Sequence, residues 1–229
     1  MLSIIIPTLN EEKYLPKLLE SIKKQSFKGY EIIVADFNSK DGSREIAKKY
    51  HCKIIEGGKI PVARNNGAKQ AKGDILFFID ADCIITKQFL QNAVKDINKR
   101  NLDVAGCYAG PLNRRVSDNI VFSLYNSWLY MTQFFCPNAA LGFFCKKNIH
   151  QKIKGFNENT LSEDTDYIER AGKYGKFRIL KTEKIYTSMR RFEKEGRLRV
   201  FKTFILWWLH RKIKGGIREG AFEYEYGKF

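Results

Sequence analysis

Asp80 and Asp82 stand one residue apart, directly after an uninterrupted apolar run, Ile75-Leu76-Phe77-Phe78-Ile79. A run without polar alternation reads as a strand buried on both faces, as in a parallel sheet with helices on either side. Ligands of such sheets bind outside the carboxyl ends of the strands. Two carboxylates held this close repel each other unless a cation lies beside them. Oxygen-only ligation suits a hard ion, Mn2+ or Mg2+, which completes its shell with water and substrate phosphates. Taken alone, an Asp-x-Asp is equally the solvated turn that ends a strand, so the neighbouring motifs carry the reading.

Those motifs fall at the same expected edge. Pro7-Thr8-Leu9-Asn10-Glu11 follows a first strand ending at Pro7, and Asp36, with Asn38 and Ser39, ends a second running from Glu31 to Ala35. Arg64-Asn65 lies early in the helix that precedes the Ile75 strand. A carboxylate accepts the N–H groups of a nucleobase, and a diphosphate is met by a metal ion, an arginine or helix N-terminal amides. Farther on, Glu163-Asp164 opens a helix expected from Ser162, its cap, to Tyr174, where the N-terminal amides favour ionised carboxylates.

The elements that must position these residues alternate strand and helix. Asn10 is expected to cap a helix with Leu15, Leu18, Leu19 and Ile22 on one face. Asp41-Gly42-Ser43 turns into a helix reaching Tyr50, Cys52 to Ile55 forms a third strand, and Val62 to Ala71 a further helix. This spacing predicts βαβ units and a parallel sheet with right-handed crossovers. Beyond residue 100 the pattern loosens. Asp103 to Ala109 and Ala140 to Cys145 read as strands, and Asn119 to Phe135 as an aromatic-rich segment at helical spacing.

The 229 residues fit one α/β domain, and 44% hydrophobic content is enough for a core. The net charge of +16 implies an anionic partner. Helix-turn-helix, zinc-finger and aromatic RNA-binding signatures are absent, so nucleic acid is not expected. Phosphates of a small molecule and acidic lipid headgroups remain. The five cysteines are scattered without a C-x-x-C pair and read as reduced intracellular thiols in the core. The chain starts in a strand with no leader, which gives a cytoplasmic location as the expectation.

In combination these segments resemble glycosyltransferase family 2, with its GT-A fold. The resemblance is carried by Ser3-Ile4-Ile5-Ile6-Pro7-Thr8-Leu9-Asn10-Glu11, Ile33-Val34-Ala35-Asp36, Ser39-Lys40-Asp41-Gly42-Ser43, Ala63-Arg64-Asn65-Asn66-Gly67-Ala68 and Ile79-Asp80-Ala81-Asp82. It covers residues 1 to about 95 and resumes at Gly155-Phe156-Asn157-Glu158 and Ser162-Glu163-Asp164. It implies a mostly parallel central sheet flanked by helices over residues 1–192. Residues 1–100 would form the nucleotide-sugar half and 101–192 the acceptor half, with 193–229 a basic, aromatic, α-rich tail.

The implied activity is metal-dependent, inverting transfer of a sugar from a nucleotide-sugar donor, a UDP-sugar ahead of GDP or TDP, to an acceptor hydroxyl or phosphate. Pro7, Thr8, Asn10, Glu11, Asp36, Arg64 and Asp80 would contact the donor, Asp36 at the base and Arg64 at the nucleotide or its phosphates. Asp82, with Asp80, would hold Mn2+ or Mg2+, and Asp164 would be the general base. Glu163 would lie on the acceptor side, and Arg190 and Arg191 would close over the diphosphate. The chain departs from dolichyl-phosphate mannose synthases, which carry a Gly-Leu-Gly type run where Pro61-Val62-Ala63-Arg64-Asn65 stands. It also lacks the Gln-x-x-Arg-Trp signature of processive polysaccharide synthases.

Asn119 to Phe135 is too apolar all round for an ordinary surface helix and reads as a core helix, a homodimer face or a membrane-interfacial element. Trp207-Trp208 among Lys202, Arg211, Lys212 and Lys214 favours the last. A glycan or lipid-linked acceptor and peripheral attachment to an acidic membrane on its cytoplasmic face are the matching expectations. Two readings from other classes are weaker. A sugar-1-phosphate nucleotidyltransferase needs a glycine-rich basic loop after the first strand, and a non-catalytic nucleic-acid-binding module leaves the Asp80/Asp82 edge without purpose.

Overall fold

The computed structural model of the chain describes residues 1–200 apart from 114, 140, 161 and 198, and beyond them residues 202, 203, 206 and 210. The apolar runs form the centre of an eight-stranded sheet. β1 (Leu2–Thr8) pairs in parallel with β2 (Tyr30–Asp36) and with β4 (Ile75–Ile79), and β2 pairs in parallel with β3 (Lys53–Glu56). The other edge of β4 meets β7 (Gly142–Lys146) antiparallel. The sheet continues through β6 (Val104–Pro111) and β8 (Phe177–Thr187) to β5 (Cys83–Ile85), giving the order β3-β2-β1-β4-β7-β6-β8-β5.

Strand alternation divides the core into two layers. Ile4, Ile6, Phe77 and Ile79 face α1 (Leu15–Lys23), α2 (Ser43–Lys49) and α4 (Phe89–Arg100). Ile5, Leu76 and Phe78 face α3 (Ile60–Gln70), α5 (Val116–Thr132), α6 (Lys147–Lys152) and α7 (Glu163–Gly172). All of these strand residues are fully buried, which is why the runs lack polar alternation. The expected apolar face of α1 is buried at Leu15, Leu18, Leu19 and Ile22. Pro16 and Pro61 occupy the first turns of α1 and α3, where a missing N–H leaves no bond unmade. The cysteines are free thiols, four of them buried.

Two expectations are corrected. Asn10 does not cap α1, whose cap position is Tyr14 without a side-chain bond; Asn10 lies in the left-handed region at φ 55° and serves the loop. Ser162 holds the cap position of α7 but makes no capping bond to it. The sheet is mostly parallel, as expected, with antiparallel pairs only at β4–β7, β7–β6 and β8–β5 and a parallel β6–β8 pair in its second half; β5 and β8 do not stand out in the sequence, the first being three residues long and the second interrupted by charges. The expected tail from residue 193 begins inside α8 (Arg190–Glu195), and Trp207 and Trp208 lie outside the described residues. Among the described residues no helix is long and apolar enough to cross a membrane.

Packing of α3 on the sheet depends on Gly67, because a Cβ there would overlap the Ile5 side chain at the centre of β1. Gly67→Ala is expected to destabilise by about 1–3 kcal/mol, the usual range for overpacking a core. The effect is read as a lower urea midpoint with an unchanged slope; an unaltered midpoint would show that β1 and α3 separate freely.

Candidate active site

The parallel register sets Thr8 level with Asp36, so the loops after β1 and β2 leave the sheet side by side. They are stitched together by polar side chains. The Asn10 amide donates to Ser39 Oγ at 3.0 Å, Lys40 donates to Asn10 Oδ1 at 2.8 Å, and Glu12 donates to Asp41 Oδ2 at 3.0 Å. The Glu11 amide donates to Ser43 Oγ at 2.8 Å. Asn10 and Asn38 both adopt positive φ, which asparagine tolerates and the tight turns require. Thr8 is buried with its hydroxyl on Ile6 O, and Pro7 is half-buried beside it.

Asp36 closes β2 in a buried position. Its Oδ2 accepts from the Ser39 amide at 3.2 Å and from Arg44 at 3.0 Å, while Oδ1 is buried with no partner. A buried carboxylate oxygen left unpaired costs free energy unless a donor arrives. Gly57, whose amide donates to Asp36 O at 2.8 Å, brings the chain after β3 against this strand end; a Cβ would stand 2.7 Å from Ala35 O. The result is a strand end that carries a buried carboxylate oxygen with an unused acceptor.

Asp80 and Asp82 turn out of β4. Their turn is held by Leu141, whose carbonyl accepts from the Asp80 amide at 3.3 Å; Leu141 has φ 62°, a costly conformation for a branched side chain. Since β8 runs antiparallel to β5, with Cys83 opposite Thr187, the residues after β8 meet Asp82. Ser188 donates to Asp82 Oδ2 at 2.7 Å, and Arg190 Nε lies 3.4 Å from the same oxygen. Arg190 also grips Glu11 through two bonds of 2.9 and 2.5 Å and lies over the Tyr14 ring. Burial, then the Asp80 charge, raises the Asp82 carboxyl above the usual range. Glu11 is raised too, by burial first, and Asp82 and Asp80 add to the effect.

Arg64 joins this edge to the second half of the chain. Nη2 donates to Asp80 Oδ1 at 2.8 Å and Nη1 to Glu163 Oε1 at 3.0 Å, with the guanidinium almost wholly buried. Burial, then the adjacent Asp164, pushes the Glu163 carboxyl up to about 8, and burial also raises Asp164. The helix amides expected to keep this pair ionised are therefore outweighed by desolvation. Asp164 Oδ1 accepts from the Thr165 amide at 2.6 Å. Tyr125, from α5, packs against the second core layer, and its hydroxyl is raised by burial first and then by the Asp164 charge.

Five carboxylates (Glu11, Asp80, Asp82, Glu163 and Asp164) thus gather around two guanidinium groups, Arg64 and Arg190. The oxygen donors of Asp80 and Asp82, two carboxylates one residue apart on the turn after β4, fit a divalent cation. Among the described residues no group of three or more Asp, Glu, His or Cys forms a closed metal cage. Asn10 acts as a brace between loops, and Arg191 pairs with Glu195 within α8. The sequence reading missed Arg44, Ser188 and Tyr14. Each is an ordinary surface-type residue until the fold sets it against an acid or a guanidinium, so no local signal marks it.

The polar sheet edge has counterparts among known proteins. The chain is 30% identical over 193 residues to a Methanococcus voltae dolichyl N-acetyl-alpha-D-glucosaminyl phosphate 3-beta-D-2,3-diacetamido-2,3-dideoxy-beta-D-glucuronosyltransferase, covering 73% of this chain and 57% of the relative. Over 112 residues it is 36% identical to the poly(ribitol-phosphate) beta-N-acetylglucosaminyltransferase TarS of Staphylococcus aureus, 44% of this chain and 20% of TarS. The chain spans a fifth to somewhat over half of these relatives. A solved structure of TarS in complex with UDP-GlcNAc superposes with a TM-score of 0.67 at 26% identity, over 82% of this chain and 58% of that one. The mannosyltransferase PcManGT from Pyrobaculum calidifontis, solved with GDP-Man and Mn2+, shares the fold at a TM-score of 0.65 and 20% identity, over 81% and 56%. The helix-flanked, mostly parallel sheet that the GT-A resemblance implied is shared with these solved structures. The sequence model of Glycosyl transferase family 2 matches residues 3–156, from the first residues of β1 through β4, Asp80, Asp82 and β7, and the chain belongs to that family.

Proposed function

We propose that the chain transfers a sugar from a nucleotide-sugar donor to an acceptor hydroxyl or phosphate, with inversion at the anomeric carbon. The observation that carries this reading is the Arg64 bridge, which sets the donor-side Asp80 and the buried acids of α7 on opposite sides of one guanidinium. The free Asp36 Oδ1 would accept a base N–H, with a UDP-sugar the first donor to test. Asp80 and Asp82 would hold Mn2+ or Mg2+, which supplies neutralisation of the charge gathering on the departing diphosphate. Arg190, released from Asp82, would reach the diphosphate, with Arg191 on the same helix. Pro7, Thr8 and Glu11 line the donor side at the end of β1.

In the reaction the acceptor oxygen bonds to the anomeric carbon as the bond to the phosphate oxygen breaks, and that electron pair leaves on the diphosphate. The hydroxyl proton passes to the Asp164 carboxylate on the opposite face. Glu163, fixed by Arg64, would border the acceptor. A shift panel of UDP-, GDP- and TDP-sugars with and without Mn2+ tests the donor, since a saturating ligand raises stability by RT ln(1 + [L]/Kd). No manganese-dependent shift with any of them would overturn the reading.

The acceptor is proposed to be lipid-linked and met at an acidic membrane. Support comes from α5 and the turn after it, where Val116, Ile120, Leu124, Met131, Phe134 and Phe135 are 55–76% exposed. Residues 119–135 carry no charge, and the hydroxyls of Ser123 and Ser127 on this face bond back to the carbonyls of Asn119 and Ser123 at 2.8 and 2.9 Å. The face therefore offers water little, and basic groups lie at its ends: Arg115 before Val116, and Arg178 4.4 Å from the Phe134 ring. Its other side packs Tyr125 and Trp128 against the core layer that holds α7. A homodimer through the same face is the competing arrangement.

Four outcomes are expected. Asp164→Asn keeps the shape but accepts no proton; donor binding stays within about threefold, and turnover falls by roughly 10² or more. In the wild type the base must be unprotonated, and its carboxyl is raised, so kcat/KM is lost as pH falls through a value above the ordinary carboxylate range; a limb near pH 4 contradicts this. Asp82→Ala should remove the manganese-dependent part of donor binding together with transfer, and activity undiminished in EDTA argues against the metal. Vesicles containing acidic lipid should retain part of the protein at about 0.5 M salt, where charge attraction is screened within a few ångström. Leu124→Glu with Met131→Glu should abolish that salt-resistant part. A concentration-dependent dimer lost with the same pair would favour the homodimer.

A further inference from the structure

Asn65, next to Arg64 on α3, makes contacts that donor chemistry does not use. Its Nδ2 donates to Phe156 O at 3.0 Å and to Glu158 Oε1 at 2.8 Å, while Oδ1 accepts from the Phe156 amide at 2.8 Å. One side-chain amide thereby satisfies both backbone groups of Phe156, as a neighbouring strand would. Asn65 is buried, and Gly155 is shaped to admit it: φ is 73°, and a Cβ there would stand 2.5 Å from Asn65 Oδ1.

The gripped segment is held from the other side by α7. Arg170 donates to Ile153 O at 2.8 Å and to Gly155 O at 2.9 Å, while its Nε bonds Asp166 at 2.8 Å. Phe156 stacks on Tyr167 of α7 with ring centres 4.2 Å apart and meets Phe78 of β4 edge-on at 4.9 Å. The Arg64 guanidinium lies 5.4 Å from the Phe156 ring. Two consecutive residues of α3 therefore hold both the first residue of α7, through Glu163, and the segment on which α7 is braced.

We propose that Asn65 is a positioning residue for the α7 acid pair, which with Arg64 fixes the distance between the Asp80/Asp82 edge and Asp164. This rests on the reading of Asp164 as the base. Displacing a catalytic group by about 1 Å is enough to slow a reaction roughly 10²-fold, so a clasp of this kind acts on turnover and not on donor affinity.

The test compares Asn65→Ala and Asn65→Asp with wild type; the aspartate keeps the acceptor for the Phe156 amide but cannot donate to Phe156 O. Hydrogen exchange followed by mass spectrometry is expected to rise at least about tenfold over 155–166 in Asn65→Ala, with β1 to β4 unchanged. UDP release from UDP-GlcNAc with Mn2+, water serving as acceptor, should fall about 10- to 100-fold per donor-binding site, while the dissociation constant for UDP with Mn2+ stays within threefold. The acid limb of that activity should shift as Asp164 loses its fixed relation to Arg64, and Asn65→Asp should fall between the other two. A merely structural role would lower the melting temperature and leave turnover per binding site and the acid limb unchanged. Wild-type exchange over 155–166 in Asn65→Ala overturns the proposal, and if that variant does not fold, the same readings on Asn65→Asp decide it. Should Asp164→Asn turn over normally, the base reading itself fails; an inactive Asp164→Asn beside a fully active Asn65→Ala overturns the clasp alone.

Discussion

A guanidinium cannot shed its proton inside a protein, so burying Arg64 obliges the fold to bring anions to it. Asp80 and Glu163 answer that demand from opposite halves of the chain, 16 and 99 residues away in sequence. The planar fork directs its two bonded nitrogens along fixed lines, which sets the spacing between the two acids as an ammonium would not. Removing either acid would leave a buried charge half-compensated. The position of α7 relative to β4 is thus tied to a single side chain of α3.

The same bridge creates the electrostatic problem that the site is built to exploit. Arg64 and Arg190 balance only part of the charge on Glu11, Asp80, Asp82, Glu163 and Asp164. Burial then lifts Glu11, Asp82, Glu163 and Asp164 above ordinary carboxylate behaviour. On the proposed reading, positive charge would be taken up beside Asp82 and a proton beside Asp164, the two places where a displacement reaction needs them. Arg190 supplies the balancing charge at Asp82 through Ser188's neighbourhood at the end of β8, and its simultaneous grip on Glu11 links the last strand to the first.

Rigidity and exposure are distributed unevenly around this centre. The loops after β1 and β2 are locked to each other by Asn10, Ser39, Asp41 and Ser43, so the polar residues of those motifs largely spend their bonding on one another. That leaves Asp36 as the group with an unmet acceptor at the donor edge. On the other side, α5 buries Leu129, while its outer face exposes Val116, Ile120, Leu124 and Met131 in a chain of net charge +16.

The sequence by itself determined the strands β1, β2 and β4 and the acids at their ends, because an apolar run with no alternation has one stable use, burial on both faces of a sheet. It also marked Arg64, Glu163 and Asp164 through their motifs, and the segment 119–135 through its lack of charge. It did not determine that Asn10 braces a loop, that burial raises the carboxyl pKa of the α7 acids, or that β5 and β8 exist. Those outcomes depend on partners far away along the chain: Asp82 with Ser188 across 106 residues, Glu11 with Arg190 across 179, Asn65 with Phe156 across 91. Periodicity and caps are local and report only which face of an element is buried. Which charges meet, and how far burial shifts them, is set by the packing of whole layers, and only the tertiary structure holds that information.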